Sequence, residues 1–240
     1  MRVLVIGGSG YVAGLILPAL TARHEVTVLD PRPSTGAHTH LTGSATDPAA
    51  LTAAMDGTDV ILHTALTNPT GDQLADAANA FDTNVTSVHL ALAAAHQAGV
   101  PHAVHLSSLS VYRDFAARHL DESVPPDATD LYGLTKRLAE QVCHAATRQW
   151  DMSVTVLRLA WPTTNQAWPA WALPGQPPRT HTADGVRVQA LAADDLASAV
   201  LAALEHRNGF DAFHITGTDQ AGLWNQTKAR HLLNWHPRRH

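Results

Sequence analysis

A glycine-rich segment near the start of the chain constrains the fold more than any other feature. The apolar run Arg2–Ile6 precedes Gly7-Gly-Ser-Gly-Tyr-Val-Ala-Gly14, and a mostly apolar, helix-compatible stretch continues to Ala22. This order predicts a strand, a tight glycine turn and a helix whose N-terminal amides face the turn. Glycines in such a turn let the backbone approach a pyrophosphate, so the segment predicts a dinucleotide site.

An acidic residue follows the glycines at the distance expected of a dinucleotide-binding fold. Residues 26–30 form a second strand-like run, and Asp30 lies 20 residues after Gly10. A carboxylate there accepts hydrogen bonds from ribose hydroxyls and repels a 2′-phosphate, which favours NAD over NADP. Arg32 could instead accommodate that phosphate.

Strand-like and helix-like runs alternate along most of the chain, which predicts an α/β protein with a Rossmann-type, doubly wound parallel sheet. Further strands are predicted at residues 38–42, 59–63, 102–107, 153–158 and 211–216, and helices at 47–55, 72–97, 130–149, 194–206 and 225–233. We expect a core over residues 1–160 and a small substrate-binding region over 161–240. The Trp- and Pro-rich segment 161–187 breaks the pattern, and it is either a wall of the pocket or a structural loop.

The segment around Tyr132 and Lys136 carries the candidate chemistry. A lysine four residues after a tyrosine lies on the same face of a helix, one turn further along. Its charge would stabilise the phenolate and move the tyrosine, whose ordinary pKa is about 10, towards proton transfer near neutral pH. This spacing also recurs by chance in amphipathic helices.

Composition excludes several other classes of function. The formal net charge is −5 with all 16 histidines neutral, so no basic surface for nucleic acid is expected. The apolar start is interrupted by glycines, and neither a membrane span nor a cleaved leader is predicted. Cys143 is the single cysteine, which fits a reducing, cytoplasmic location. His38 and His40 have no partner at ligand spacing, so no metal is expected.

An ordered set of motifs resembles the extended short-chain dehydrogenases/reductases of the NAD-dependent epimerase/dehydratase family over nearly the whole chain. After the glycine turn and Asp30, the set comprises Asp59-Val-Ile-Leu-His-Thr-Ala65, Asn84-Val85, His105-Leu-Ser-Ser-Leu-Ser-Val-Tyr112, Glu122-x-x-Pro125, Tyr132-x-x-x-Lys136, Glu140, Arg158, Asp194-Asp195-Leu-Ala197 and Leu232-Leu-Asn-Trp-x-Pro237.

The resemblance implies roles for individual residues. Ser108 would hydrogen-bond the reacting oxygen, Tyr132 would be the acid/base, and Lys136 would support Tyr132 and hold the nicotinamide ribose. Ser107 competes with Ser108, and Asn84 would contact the substrate or maintain the framework of the site. Expected cofactor contacts are Gly7, Gly10, Tyr11, Val12, Asp30, Ala65, Tyr132 and Lys136; expected substrate contacts are Asn84, Ser107 and Arg158.

Several positions depart from the family pattern. Ser44 stands where an aspartate is usual, which puts the adenine contact in doubt. Leu66 replaces an alanine, Arg113 replaces a glycine, and Trp161-Pro162 replaces a Gly-Pro pair. Most of these changes lie towards the substrate, so they favour an unusual one.

The expected reaction is hydride transfer between NAD and an alcohol or carbonyl compound. A small polar substrate is favoured over a nucleotide sugar, because only 104 residues follow Lys136. The stretch Thr218–Trp224 resembles uronate dehydrogenases, which suggests a sugar acid. The alternatives are a nucleotide-sugar epimerase or dehydratase and a non-catalytic dinucleotide-binding redox sensor. The resemblance also implies a homodimer formed through the helices predicted at 72–97 and 130–149.

Overall fold

A seven-stranded sheet, parallel throughout, forms the centre of the computed structural model, which describes residues 1–69, 73–183, 185–217 and 222–238. The strands are β1 (Arg2–Ile6), β2 (Glu25–Leu29), β3 (Thr39–Leu41), β4 (Val60–His63), β5 (His102–Ser108), β6 (Ser153–Leu159), β7 (Pro162–Thr163), β8 (Leu191–Ala192) and β9 (Phe210–Ile215). The helices are α1 (Tyr11–Thr21), α2 (Pro48–Ala54), α3 (Leu74–Phe81), α4 (Ser87–Gln97), α5 (Leu131–Trp150), α6 (Ala193–Glu205) and α7 (Thr227–Leu232). The sheet order is β3-β2-β1-β4-β5-β6-β9.

Both faces of the sheet are covered, as the sequence predicts for a doubly wound fold. Val3 and Val5 of β1 pack in one apolar cluster with side chains of α1 and α6. Leu4 and Ile6 of the same strand pack in a second cluster with α2, α4 and α5. Successive side chains of a strand point to opposite faces, so a wholly apolar strand such as β1 is stable only between two helical layers.

The helix predicted at 72–97 is divided into three parts. The segment Asp82–Thr86, between α3 and α4, has π-helical hydrogen bonding. Asp72, the expected start, lies outside the described residues, and α3 begins at Leu74. Single π-helical turns inside α-helices occur often at functional sites, and this one contains Asn84.

The chain reverses its direction across the sheet between β1 and β4. β1 pairs with β2 on one side and with β4 on the other. The Thr64 amide, just beyond β4, donates to the Ile6 carbonyl at 2.8 Å. Ligands of such sheets bind at this reversal, beyond the carboxyl ends of the strands.

The segment that follows β6 folds back towards this edge. Pro162 and Thr163 of β7 pair with Leu191 and Ala192 of β8 in a separate two-stranded sheet. β9 then returns to the main sheet beside β6, so residues beyond 160 contribute to the core sheet as well. The division into a core over 1–160 and a substrate-binding region over 161–240 stays a prediction. Within the described part of the chain, no helix has both the length and the apolar composition of a membrane span.

Candidate active site

The first turn requires glycine at Gly7. Its φ is +85°, in the left-handed region that favours glycine, and an added Cβ would lie 2.4 Å from the backbone of Ala65. The turn after β1 therefore packs directly against the chain that leaves β4. This contact forms the floor of the crevice between the two strands.

The N-terminus of α1 opens into this crevice. Gly10 is the N-cap residue, and Gly14 donates to the Gly10 carbonyl at 3.0 Å. The amides of residues 11–13 precede that bond and have no partner within the helix. With the helix dipole, they form a site suited to a phosphate group.

Asp30 is held firmly at the end of β2. Only 3% of the residue is exposed, and its carboxylate accepts hydrogen bonds from the Ser9 amide at 3.1 Å and the Arg32 amide at 2.9 Å. The Arg32 side chain lies against the same carboxylate, with Nε 3.4 Å from Oδ1. Arg32 is therefore paired with Asp30 rather than placed independently for a 2′-phosphate.

These groups line one crevice of about 570 Å³. The expected cofactor residues that line it are Gly7, Gly10, Tyr11, Val12, Asp30 and Ala65. Ser44 also lines it, and its hydroxyl lies 2.8 Å from that of Thr46. The close glycine turn, the open helix amides and the oriented carboxylate fit a dinucleotide with free ribose hydroxyls.

Tyr132 and Lys136 lie on the first two turns of α5, which is anchored beside the end of β5. The Asp130 carboxylate caps the helix by accepting from the Gly133 amide at 2.9 Å. A Cβ on Gly133 would lie 2.2 Å from the Ser110 carbonyl, so a glycine is required for this approach. The close packing brings Tyr132 to Ser108, which follows Ser107 at the end of β5.

Burial raises the pKa of Tyr132, and hydrogen bonding to the Ser108 hydroxyl acts in the opposite direction. The nearby Asp130 carboxylate raises this pKa further. The net shift is upward, opposite to the effect expected from Lys136.

Lys136 is buried and points away from solvent. Its Nζ donates to the Leu106 carbonyl at 2.6 Å, and burial lowers its pKa to about 8. Glu140 and Cys143 oppose this shift. His63 and His105 are paired on the neighbouring strands β4 and β5. Burial, together with the nearby Lys136 charge, lowers the pKa of both imidazoles, and that of His63 falls to about 3.

A second cavity, of about 340 Å³, contains Ser108, Tyr132 and Lys136 and adjoins the cofactor crevice. Tyr11, Val12, Thr64, Leu66, Asn68 and Leu173 line both spaces. The Tyr11 hydroxyl donates to the Ala172 carbonyl at 2.7 Å and so ties the excursion after β7 to the glycine turn. The Trp- and Pro-rich segment is therefore a wall of the pocket.

Two of the expected substrate residues, Arg158 and Ser107, bind the buried Glu140 carboxylate. The Arg158 guanidinium is buried and pairs with the Glu140 carboxylate, with Nη2 2.7 Å from Oε2. The Ser107 hydroxyl donates to the other oxygen of Glu140 at 2.6 Å. Ser107 borders the catalytic cavity, whereas Arg158 is not among its lining residues.

Asn84 clamps the loop after β4. Its side chain accepts from the Thr67 amide and donates to the Thr67 carbonyl, both at 2.8 Å, and it also donates to the Thr135 hydroxyl at 3.0 Å. Asn84 is fully buried. Of the two roles considered for it, the contacts match maintenance of the framework.

The aromatic wall was the part of the site least visible in the sequence. Phe115, Leu66 and Leu173 line the cavity without belonging to any expected site set. Leu66 carried a signal, because it departs from the family alanine. Phe115 begins a single 3-10 turn, Phe115–Ala117, which is too short for periodicity to indicate which side chain turns inwards. Among the described residues, no group of three or more metal-ligating side chains is placed to hold an ion.

The fold and the arrangement of this site are those of the short-chain dehydrogenase/reductase type. Residues 3–163 match the NAD dependent epimerase/dehydratase family, and the chain belongs to that family.

Two curated relatives illustrate the range of the family. An N-acetyl-alpha-D-glucosaminyl-diphospho-ditrans,octacis-undecaprenol 4-epimerase of Escherichia coli is 30% identical over 65% of this chain and 47% of its own length. A 3 beta-hydroxysteroid dehydrogenase/Delta 5-->4-isomerase of Mycobacterium tuberculosis is 37% identical over 58% of this chain and 41% of its own. The chain thus spans about half the length, or less, of these two relatives.

Solved structures share the fold at lower identity. A short-chain dehydrogenase/reductase superfamily protein from Agrobacterium tumefaciens, crystallised with NAD, has a TM-score of 0.82 at 21% identity, covering 100% of this chain and 93% of that one. A mutated uronate dehydrogenase has a TM-score of 0.78 at 20% identity, covering 99% and 82%. Residues 218–221 of the stretch that resembles uronate dehydrogenases lie outside the described residues.

Proposed function

We propose that the protein is an NAD-dependent oxidoreductase that transfers a hydride between the nicotinamide and a small alcohol or carbonyl substrate. The observation that carries this proposal is the junction of the two cavities. Tyr132 and Ser108 line the smaller space, which is continuous with the crevice that contains Gly10 and Asp30. A reacting carbon at this junction would lie between the acid/base group and the cofactor.

Bound NAD supplies the hydride acceptor for alcohol oxidation, and NADH supplies the hydride for the reverse reaction. Side chains of the protein donate and accept the proton. In reduction, Tyr132 donates its phenol proton to the carbonyl oxygen while Ser108 hydrogen-bonds the same oxygen; in oxidation, the phenolate form of Tyr132 would accept the hydroxyl proton. Lys136 would hold the nicotinamide ribose, and Asp30 would accept from the adenosine ribose and favour NAD over NADP.

Two relatives point to different classes of substrate. A sugar or sugar acid was expected from the sequence, and the uronate dehydrogenase of similar fold supports including uronates in any substrate panel. The curated epimerase supports the alternative reaction on a nucleotide sugar, in which the hydride returns to the same substrate. Net formation of NADH separates the two, because an epimerase leaves the cofactor unchanged after each cycle.

The test is a comparison of Tyr132→Phe with the wild-type protein. We expect the variant to bind NAD normally and to lose activity at least about 100-fold, because it cannot transfer the proton. NAD and NADP binding is measured by calorimetry, and activity by NADH absorbance with sugars, sugar acids and alcohols. Equal activity of the variant would reject the role of Tyr132, and tighter binding of NADP would reject the role of Asp30. NAD binding with no turnover of any substrate would favour the redox sensor.

A further inference from the structure

The side chains that face Tyr132 across the catalytic cavity are mainly aromatic and aliphatic. This wall consists of Leu66, Phe115, Trp161, Pro162, Trp171 and Leu173. Leu66 is 44% exposed, and it lines both this cavity and the adjoining crevice. Its exposed surface faces the cavity and the adjoining crevice, so a bound molecule would cover it.

Two of the three aromatic side chains of the wall are fixed in position by packing. The rings of Phe115 and Trp161 lie 5.4 Å apart, and each packs on Trp224, at 6.0 and 5.5 Å. Trp224 is buried, and its indole N–H donates to the Phe115 carbonyl at 2.8 Å. A rigid aromatic surface binds an apolar ligand without losing side-chain freedom.

The cavity offers little to a charged ligand. Of the described residues that line it, Lys136 is the only one with a charged side chain, and its amino group is directed to the Leu106 carbonyl. The Arg158 guanidinium is buried and already forms an ion pair with Glu140. A carboxylate in this cavity would lose its hydration without gaining a free cationic partner, which is unfavourable.

A groove beside the cavity shares Ser110, Phe115, Tyr132 and Trp161 with it. The groove also contains the exposed guanidinium of Arg113. Its Nε lies 3.7 Å from the Asp127 carboxylate, and Asp114 and Asp130 also line the groove. The carboxylates around Arg113 oppose its attraction for the carboxylate of a ligand.

We propose that the substrate is uncharged and presents an apolar ring to Phe115, Trp161 and Leu66, as an aromatic or alicyclic secondary alcohol or its ketone does. The inference rests on the proposed function and deepens it. The oxygen of such a molecule reaches Ser108 and Tyr132, while its carbon skeleton covers the wall. A polyhydroxylated sugar would place the hydroxyls that face this wall against carbon atoms, without hydrogen-bond partners.

The test uses the full-length protein saturated with NADH and two probe ligands, acetophenone and D-glucuronate, titrated by calorimetry. We expect acetophenone to bind at least about tenfold more tightly, the discrimination that one or two apolar groups provide. Leu66→Ser should weaken acetophenone binding about tenfold. The matched control is Leu74→Ser, at a leucine that is 91% exposed on α3, and it should change nothing.

Tighter binding of glucuronate, binding of neither ligand, or an unchanged Kd for acetophenone in Leu66→Ser would each overturn the inference. A parallel turnover assay with 1-phenylethanol and D-glucuronate tests the proposed function separately. Preferred oxidation of glucuronate would reject the apolar substrate and leave the oxidoreductase intact. Tight acetophenone binding without oxidation of either alcohol would support the apolar pocket and count against the oxidoreductase.

Discussion

At the scale of single residues, two adjacent serines at the end of β5 have different partners. Ser108 borders the cavity beside Tyr132, whereas the Ser107 hydroxyl donates to the buried Glu140 carboxylate. We expect Ser108→Ala to lower kcat about 100-fold or more, as loss of a hydrogen-bond donor to the reacting oxygen does. Ser107→Ala should instead lower the free energy of unfolding by about 1–3 kcal/mol, because a buried acceptor loses its donor.

Steady-state kinetics and urea unfolding of both variants check this division of roles. A large loss of kcat in Ser107→Ala at unchanged stability, with Ser108→Ala active, would reverse the assignment.

Lys136 gives the active site a pH dependence. Because burial lowers its pKa to about 8, the amino group is charged below that pH and neutral above it. The pKa of Tyr132 is raised, so in carbonyl reduction the acid stays protonated through this range. His63 and His105, whose pKa values are lowered by burial, are neutral throughout it.

We therefore expect kcat/KM for carbonyl reduction to fall above about pH 8 with a slope of one proton. The measurement is the rate of NADH consumption against pH, with circular dichroism at each pH as the control for folding. The folded protein binds fewer protons at Lys136 than the unfolded chain between about pH 8 and 10.5, so stability should rise across this window as activity falls. A flat rate profile to pH 10 would exclude Lys136 as the titrating group.

The residues that the sequence identified are those whose chemistry is tied to a fixed spacing. Gly7, Gly10 and Asp30 follow from strand–turn–helix geometry, and the structure brings all three to one crevice. The partners of Lys136 and Arg158 depend on contacts across the sheet, so sequence spacing alone could not assign them. The sequence predicted a lowered pKa for Tyr132 from the Lys136 charge, whereas burial of the phenol raises it, and spacing along the chain does not encode that burial.

At the scale of elements, a buried ion pair joins α5 to β6. Arg158 pairs with Glu140 at 2.7 Å, and it also contacts the Tyr112 hydroxyl. Removal of one member of such a pair leaves the other charge buried without compensation. We expect Arg158→Leu to lower the free energy of unfolding by about 3–5 kcal/mol and Arg158→Leu/Glu140→Leu to recover part of this loss.

Denaturant unfolding of Arg158→Leu, and the KM of its folded fraction, distinguish a framework role of Arg158 from a substrate contact. A framework role predicts lower stability with an unchanged KM. A substrate contact predicts the opposite, a raised KM with little change in stability.

Helices and strands could be predicted well where the pattern of apolar residues was long and regular. The expected strand and helix order matches the structure along the main sheet, and β5, predicted at 102–107, ends one residue later. The division of the 72–97 helix at the π-helical turn leaves the hydrophobic pattern almost unchanged, so the sequence did not indicate it. The wall formed by segment 161–173 depends on single contacts such as that between Tyr11 and Ala172, which no local pattern encodes.

At the scale of the whole molecule, the expected dimer depends on the outer surface of α3, α4 and α5. The alanines of α4 do not support this interface by themselves, since Ala91, Ala94 and Ala95 pack in the core beneath the helix. Phe81, at the end of α3, is 37% exposed and offers an apolar contact on the outer surface. Burial of such a side chain between two copies would stabilise a dimer.

We expect light scattering after gel filtration to give the mass of a dimer, and Phe81→Arg to shift the protein towards the monomer, because a charge would be buried in the interface. The matched control is Leu41→Arg, at a leucine 36% exposed on the edge strand β3, at the end of the sheet away from β5 and β6, which α5 contacts. A monomeric wild-type protein, or equal effects of the two substitutions, would reject these helices as the interface. Activity should persist in a folded Phe81→Arg monomer, because Phe81 does not line the crevice or the cavity.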